Sequence, residues 1–265
     1  MTLLVKAMPT GEAIVKVTPQ TARWHYVGFE ARRLARGRTT RVELPADREG
    51  CLVVLTGTVD VTVGEATWRG LGGRASVFDD RSPVAIYAPP SSVFVIEAVD
   101  DAEVAVASAP GTGRHGVRLI ESASMKRSVR GTGANTRYVC DILPESEPAE
   151  SLLVVEVLTP AGHSSSYPPH KHDTDALPEE SVLEETYYHR IDPPQGFAFQ
   201  RVYTDTRDID ESMAVGDHDV VMVPRGYHPV VMPYGYRGYY LNVMAGPRRE
   251  WHFRNDPAHE WMIAR

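Results

Sequence analysis

Cysteine is scarce in this chain: Cys51 and Cys140 are the only two among 265 residues, and each lies in or beside an apolar run, CLVVL and YVCDIL. That excludes a disulfide framework and a thiolate metal cluster, and the pair reads as buried free thiols. Any metal held here must be held by nitrogen and oxygen. Long hydrophobic runs are missing too. No apolar stretch approaches the roughly 20 residues that span a bilayer, and the opening MTLLVKAMPTGEA lacks a long apolar region with a small-residue cleavage site. The chain therefore reads as cytoplasmic, with no membrane partner. Nor is there a surplus of positive charge. With 28 Lys and Arg against 35 Asp and Glu, the formal net charge is -7, which offers no attraction to phosphate backbones or anionic lipid. Nucleic acid is excluded as a partner class. Helical periodicity is hard to find anywhere.

What is present is strand signal. The hydrophobic fraction of 42% and charged fraction of 24% are those of an ordinary globular protein, long enough for one large core or two modest ones. Short runs rich in Val, Ile, Tyr and Phe alternate with Gly, Pro and Asp clusters, as in CLVVLTGTVDVTVG (51–64). There Val59, Val61 and Val63 share one face and Thr58, Asp60 and Thr62 the other, the pattern of a half-buried antiparallel strand. The two halves also resemble each other: VAIYAPPSSVFVIEA (84–98) lies over VVMVPRGYHPVVMPYGYRGYYLNVMA (220–245), and RLARGRTTRVELPAD (33–47) over VLTPAGHSSSYPPHKHD (157–173). The expected fold is all-β: two barrel or jelly-roll domains in tandem with few short helices, over residues 1–125 and 126–265.

Chemistry concentrates in the second half. In SSYPPHKHD (165–173), His170 and His172 stand at i and i+2 and so point to the same face of a strand. An isolated His-x-His is usually just a polar loop, so the pair needs partners. Downstream, Glu184 or Glu185 in LEETYYHR and His228 in VPRGYHPV supply them. Glu185 is favoured, because it shares a face with Tyr187 and His189. Three imidazoles and a carboxylate suit a divalent ion such as Mn, Zn, Fe, Ni or Co. In the register of the two halves, Pro45, Asp47 and Val93 fall where His170, His172 and His228 stand, so the first domain is expected to lack a metal site.

The order Gly162, His170-x-His172, Glu185, Gly196, then Gly216, Pro224-x-Gly226, His228 and Asn242 resembles the two motifs of the cupin superfamily. The gap from His172 to Glu185 is longer than usual there, and Pro-x-Gly-x-His is one residue tighter. More narrowly, SSYPPHKHD, LEETYYHR, GFAFQRVYTD, VPRGYHPV, GYYLNVMAGPRREW and FRNDPAHEW resemble the 5-deoxy-glucuronate isomerase family of myo-inositol catabolism. That resemblance implies a bicupin with metal only in the C-terminal barrel. It also implies a reaction, 5-deoxy-D-glucuronate to 5-dehydro-2-deoxy-D-gluconate, on a small sugar acid.

An aldose–ketose isomerase must remove a proton beside an aldehyde and return it to the neighbouring carbon. A divalent ion suits the first need as a Lewis acid, and a positioned base the second. The strand GFAFQRVYT offers Phe197, Phe199, Arg201 and Tyr203 on one face. If that face looks into the barrel, Arg201 forks onto the substrate carboxylate and Tyr203 relays the proton; otherwise Tyr203 is core and Arg201 an exterior ion-pair partner. Tyr240 and Asn242 share a face on GYYLNVMA and could orient a ligand. Lys171 points away from its histidine neighbours and is expected at the surface. Trp251, Phe253 and Trp261 in REWHFRNDPAHEW are expected to dock the tail onto a barrel or a neighbouring subunit, which leaves a homo-oligomer open. Rival readings of the same ligand set are a 4-deoxy-5-ketouronate ketol-isomerase, an Fe(II) dioxygenase and a non-catalytic sugar-binding cupin.

Overall fold

The β-branched, alternating runs fold as strands throughout the computed structural model, which describes residues 2–8 and 10–263. Pro19–Ala22 is the one α-helix among the described residues, and three short 3-10 turns complete the helical content. The all-β expectation is borne out. Two units divide the chain: Met8–Lys126 with Cys140–Val154, and Met1–Ala7 with Arg127–Val139 and Val155–Arg265. Each is discontinuous in sequence, where the expectation was two continuous halves meeting at 125/126.

In the first unit the long strand Arg48–Val63 organises the sheet. Its Gly50–Val54 segment pairs with Val84–Ala88, its Val59–Val63 segment with Val93–Ala98, and most of Arg48–Thr56 with Ala102–Pro110. One strand can serve two sets of partners because it bends at Gly57, which has a φ of 76° and where an added Cβ would collide with the Asp101 carbonyl. Val59, Val61 and Val63 are buried while Thr58, Asp60 and Thr62 are partly exposed, as the alternation predicts. They join Leu52, Val54, Ile86, Phe94 and Ile96 in one apolar core. Segment 140–154 belongs to this unit for a specific reason. The fully buried Glu49 carboxylate accepts the Tyr87 hydroxyl at 2.6 Å and the backbone N–H groups of Glu150, Ser151 and Leu152 at 2.8, 2.6 and 2.7 Å.

The sheet that matters for function lies mainly in the second unit. Strand order is Leu4–Val5, Val220–Val223, Glu184–Asp192, Arg237–Ala245, Leu153–Thr159, Arg137–Leu143, Lys126–Arg130. A four-stranded sheet, Ser164–Ser165, Val230–Val231, Ala198–Tyr203 and Asp210–Val215, and the short pair His170–Lys171 with Arg254–Asn255 complete what frames the site. The N-terminal segment is fastened here by a second buried carboxylate, Asp219, which accepts the Lys6 ammonium at 2.7 Å and the Ala7 N–H at 3.0 Å. Register sets the functional face: Glu185 lies opposite Val223 and Met244, Tyr187 opposite Asn242, and His189 opposite Tyr240. No helix among the described residues is long and apolar enough to cross a membrane.

Candidate metal centre

Two strand segments and a turn converge on one point. His170 and His172 come from the segment that pairs with the tail, Glu185 from the centre of the seven-stranded sheet, and His228 from the turn after Val220–Val223. All four side chains are buried, His228 completely. The three histidines each offer a ring nitrogen, and those atoms lie within 4.8 Å of one another, close enough to hold a metal ion. Glu185 reaches the same point: its Oε2 is 3.0 Å from His172 Nε2 and 3.3 Å from His228 Nε2. Glu184 has the opposite facing, as strand alternation requires.

The supporting bonds aim the imidazoles. His228 Nδ1 donates to the Gly226 carbonyl at 2.8 Å, and His172 Nδ1 to the Leu183 carbonyl at 3.1 Å; His170 bonds the Pro168 carbonyl. A ring N–H held by a carbonyl directs the other nitrogen toward the centre, the usual arrangement around a ligated metal. His228 Nε2 is buried and makes no hydrogen bond, and Asn242 Oδ1 nearby is in the same state. An orphaned buried nitrogen facing two other imidazoles and a carboxylate is what an N/O site for a divalent ion requires, so these residues fit such an ion. Electrostatics agree. Burial, helped by the other two histidines and Arg137, holds His170 well below its ordinary pKa, and burial pushes His228 down to about 4. Both stay neutral and able to ligate. For His172, burial is outweighed by the Glu185 hydrogen bond and charge, leaving its pKa raised.

A second layer of bonds fixes this geometry. Asn242 Nδ2 donates to Glu185 Oε1. Gln200, buried, accepts from His189 Nε2 at 2.9 Å and donates to the His228 carbonyl at 3.4 Å. Asp173 accepts the Gly226 N–H at 2.9 Å and the Lys171 ammonium at 2.7 Å, tying the His228 turn to the His-x-His segment. Lys171 is therefore not at the surface as expected. It turns away from the histidines but is buried, held also by Asp205 at 3.2 Å and Glu180 at 3.5 Å.

Of the two facings left open for the strand Ala198–Tyr203, the structure has the one that puts Arg201 outside and Tyr203 in the core. Ala198, Gln200 and Val202 are inward, while Phe199 and Arg201 are exposed. Arg201 forks onto Asp210 at 2.7 and 2.8 Å on the outer face, so it is not directed at the histidines. Phe197 packs against Phe199 and Tyr236 there, which gives the outer aromatics mutual cover. Tyr203 is buried, but its hydroxyl donates to Asp256 at 2.8 Å, and burial with that carboxylate raises its pKa. Tyr240 is placed inside. Its ring is 4.9 Å from that of Tyr187 and 5.8 Å from that of His189, and its hydroxyl lies beside Ser165 and Ser166. Tyr187 in turn shares a 3.0 Å hydrogen bond with Ser166. The tail docks on its own barrel: Arg254–Asn255 pairs with His170–Lys171, and the Phe253 ring lies 4.6 Å from that of His170.

A family model, KduI/IolB, matches residues 3–262. The chain belongs to the KduI/IolB family. Among curated members, this KduI/IolB protein is 54% identical over 250 residues to the 5-deoxy-glucuronate isomerase of Geobacillus kaustophilus, covering 94% of this chain and 90% of the relative. It is 51% identical over 251 residues to that of Bacillus subtilis, covering 94% and 92%. A solved IolB-like protein from Salmonella typhimurium superposes with a TM-score of 0.96 at 46% identity, over 99% of this chain and 100% of that one. An oxalate decarboxylase from Lactobacillus farciminis superposes with a TM-score of 0.67 at 11% identity, over 100% and 91%, a likeness of fold alone. The fold is the all-β fold that these structures share, and this KduI/IolB protein is an enzyme of the isomerase class.

Proposed function

We propose that this protein is a divalent-metal-dependent 5-deoxy-glucuronate isomerase, converting 5-deoxy-D-glucuronate to 5-dehydro-2-deoxy-D-gluconate in myo-inositol catabolism in the cytoplasm. The observation that carries this reading is identity above 50% over nine-tenths of both chains to relatives named for that reaction. His170, His172, His228 and Glu185 would hold the ion, the first three already gathered within ligating distance of one another. When bound, a divalent ion supplies Lewis-acid polarisation of the aldehyde, an effect worth several kcal/mol.

The chain's own residues do the rest. Asn242 and Gln200 hold Glu185 and the His228 turn in place, so the ligand set is preorganised. Proton transfer needs a group that gives up or receives one proton between adjacent carbons: the C2 proton leaves, a proton arrives at C1, and the O2 hydroxyl proton passes to O1. Tyr240 is the proposed donor of the proton that arrives at C1, because its hydroxyl is inside and lies beside Ser165 and Ser166. Its pKa is raised mainly by burial, which keeps it protonated and suits it to donate. Tyr203 and Arg201, the other two candidates, are engaged by Asp256 and Asp210 and are assigned no direct role.

The test is metal analysis of the purified protein combined with an NMR assay on 5-deoxy-glucuronate. Ketose formation that is lost on chelation and restored by one of Mn, Zn, Fe, Ni or Co is the expected result. Turnover undiminished in fully metal-free protein, or turnover of 4-deoxy-5-ketouronate alone, would overturn it.

A further inference from the structure

The unit that carries the histidines also holds an arginine with no opposing charge. Arg137 opens the strand Arg137–Leu143 and is half-buried. Its Nη1 donates only to uncharged oxygens: the Asn135 carbonyl at 3.2 Å, Asn135 Oδ1 at 3.4 Å and the Tyr167 carbonyl at 3.4 Å. Asn135 Nδ2 donates to the same Tyr167 carbonyl at 2.7 Å, so guanidinium, loop and the approach to His170 form one fixed assembly. Among the described residues, no carboxylate pairs with Arg137 and no hydrogen bond reaches its Nε or Nη2, although neither atom is sealed from solvent.

Placement and chemistry both bear on what that edge is for. Tyr167 is three residues from His170, and Ser165 and Ser166 just before it lie beside Tyr240. Arg137 lies close enough for its charge to act on His170, Tyr187 and Tyr240. Burying a guanidinium without a counter-ion is unfavourable, and burial with Arg130 nearby pulls its pKa below the ordinary arginine value. The Nε–Nη2 edge is the fork that receives a carboxylate through two parallel hydrogen bonds. Arg201, the sequence candidate for that task, already uses its fork on Asp210.

We propose that Arg137 binds the substrate's carboxylate through its free Nε–Nη2 edge, directing the aldehyde end of the sugar acid to the histidines. This rests on the uronic-acid substrate class inferred above. A charge-assisted bidentate contact made equally in the ground and transition states acts on binding rather than on the chemical step. Arg137 is thus a specificity-determining residue, and a neutral analogue gains nothing from it.

The experiment compares wild-type holoenzyme with Arg137→Met and Arg137→Lys on 5-deoxy-glucuronate and on its uronamide, after metal content and thermal unfolding are matched. Expected is a rise in KM of about 10- to 100-fold for the acid in Arg137→Met, with kcat little changed and the amide handled alike by both proteins. Arg137→Lys keeps the charge and loses the fork, so an intermediate KM is expected; it also serves if the Met variant does not fold. An unchanged KM for the acid in metal-replete variants, or an acid preference that survives in Arg137→Met, overturns the proposal. Should wild type turn over neither compound, calorimetric binding of glucuronate decides: binding lost in Arg137→Met leaves the carboxylate site standing while the isomerase reading fails. No uronate binding to wild type overturns both.

Discussion

The two units build barrels from the same kind of strand and fill them differently. In the first, Leu52, Val54, Val59, Ile86, Phe94 and Ile96 form a continuous hydrocarbon core. In the second, the corresponding inward positions of Glu184–Asp192 and its neighbours bring Glu185, Tyr187, His189, Gln200 and Asn242 together with His170, His172 and His228, all buried. Buried polar groups cost stability unless each finds a partner. Most do here, but His228 Nε2, Asn242 Oδ1 and Ser165 Oγ do not. Unsatisfied atoms beside a prearranged ligand set mark a place where the fold sacrifices packing for chemistry. One barrel thus buries hydrocarbon where the other buries a candidate ligand set.

Substitutions can break this contrast. His228→Ala removes the fully buried member of the triad and should abolish metal binding and cut kcat/KM by roughly 10³-fold or more, read by metal analysis and kinetics. Phe94→Ala in the hydrocarbon core should lower unfolding free energy by about 3–5 kcal/mol in denaturant titration. Its folded fraction should keep its metal and its turnover; loss of metal there would mean the division of labour is wrong. Acid should act through the polar barrel. Burial holds His189 neutral with a pKa near 4 against an ordinary 6.5. A depressed pKa means the unfolded chain takes up protons first, so stability is complete above about 6.5 and declines as pH falls toward 4, by up to about 3 kcal/mol. His189→Gln should flatten that decline in metal-free protein, measured by denaturation at each pH. Asn242→Ala frees the Glu185 carboxylate and should weaken metal binding by about 10- to 100-fold in competitive chelator titration. Smallest of all, Arg201→Ala removes an exposed ion pair and should cost less than about 1 kcal/mol of stability with kcat/KM nearly unchanged.

Much of the second barrel was legible before its coordinates. His170 and His172 share a face because strand side chains alternate, and His228 was singled out by its setting in VPRGYHPV. The alternation of Glu185, Tyr187 and His189 was also correct. For GFAFQRVYT the period is legible and the face is not, so both facings stay open until the fold is seen. Period belongs to one strand, but facing depends on what meets each face: Gln200 turns inward to His189 and the His228 carbonyl, while Arg201 meets Asp210 outside. Lys171 was legible in direction and not in burial, because Asp173, Glu180 and Asp205 come to it from three different segments. Arg137 carried no signal at all in its turn-rich surroundings, since its unpaired charge is visible only beside Tyr167 and Asn135.

By itself, then, the sequence indicated an all-β chain with two similar halves and a set of candidate nitrogen and oxygen ligands gathered in the second half. These follow from composition and from spacing along a single strand, which any isolated segment already possesses. Only the tertiary structure decided which edge of each strand looks inward, which arginine is left without a carboxylate, and which short segments complete each unit. Those are matters of contact between residues far apart in the chain, such as Glu49 with Glu150 to Leu152 or Asp219 with Lys6, and no local period encodes them.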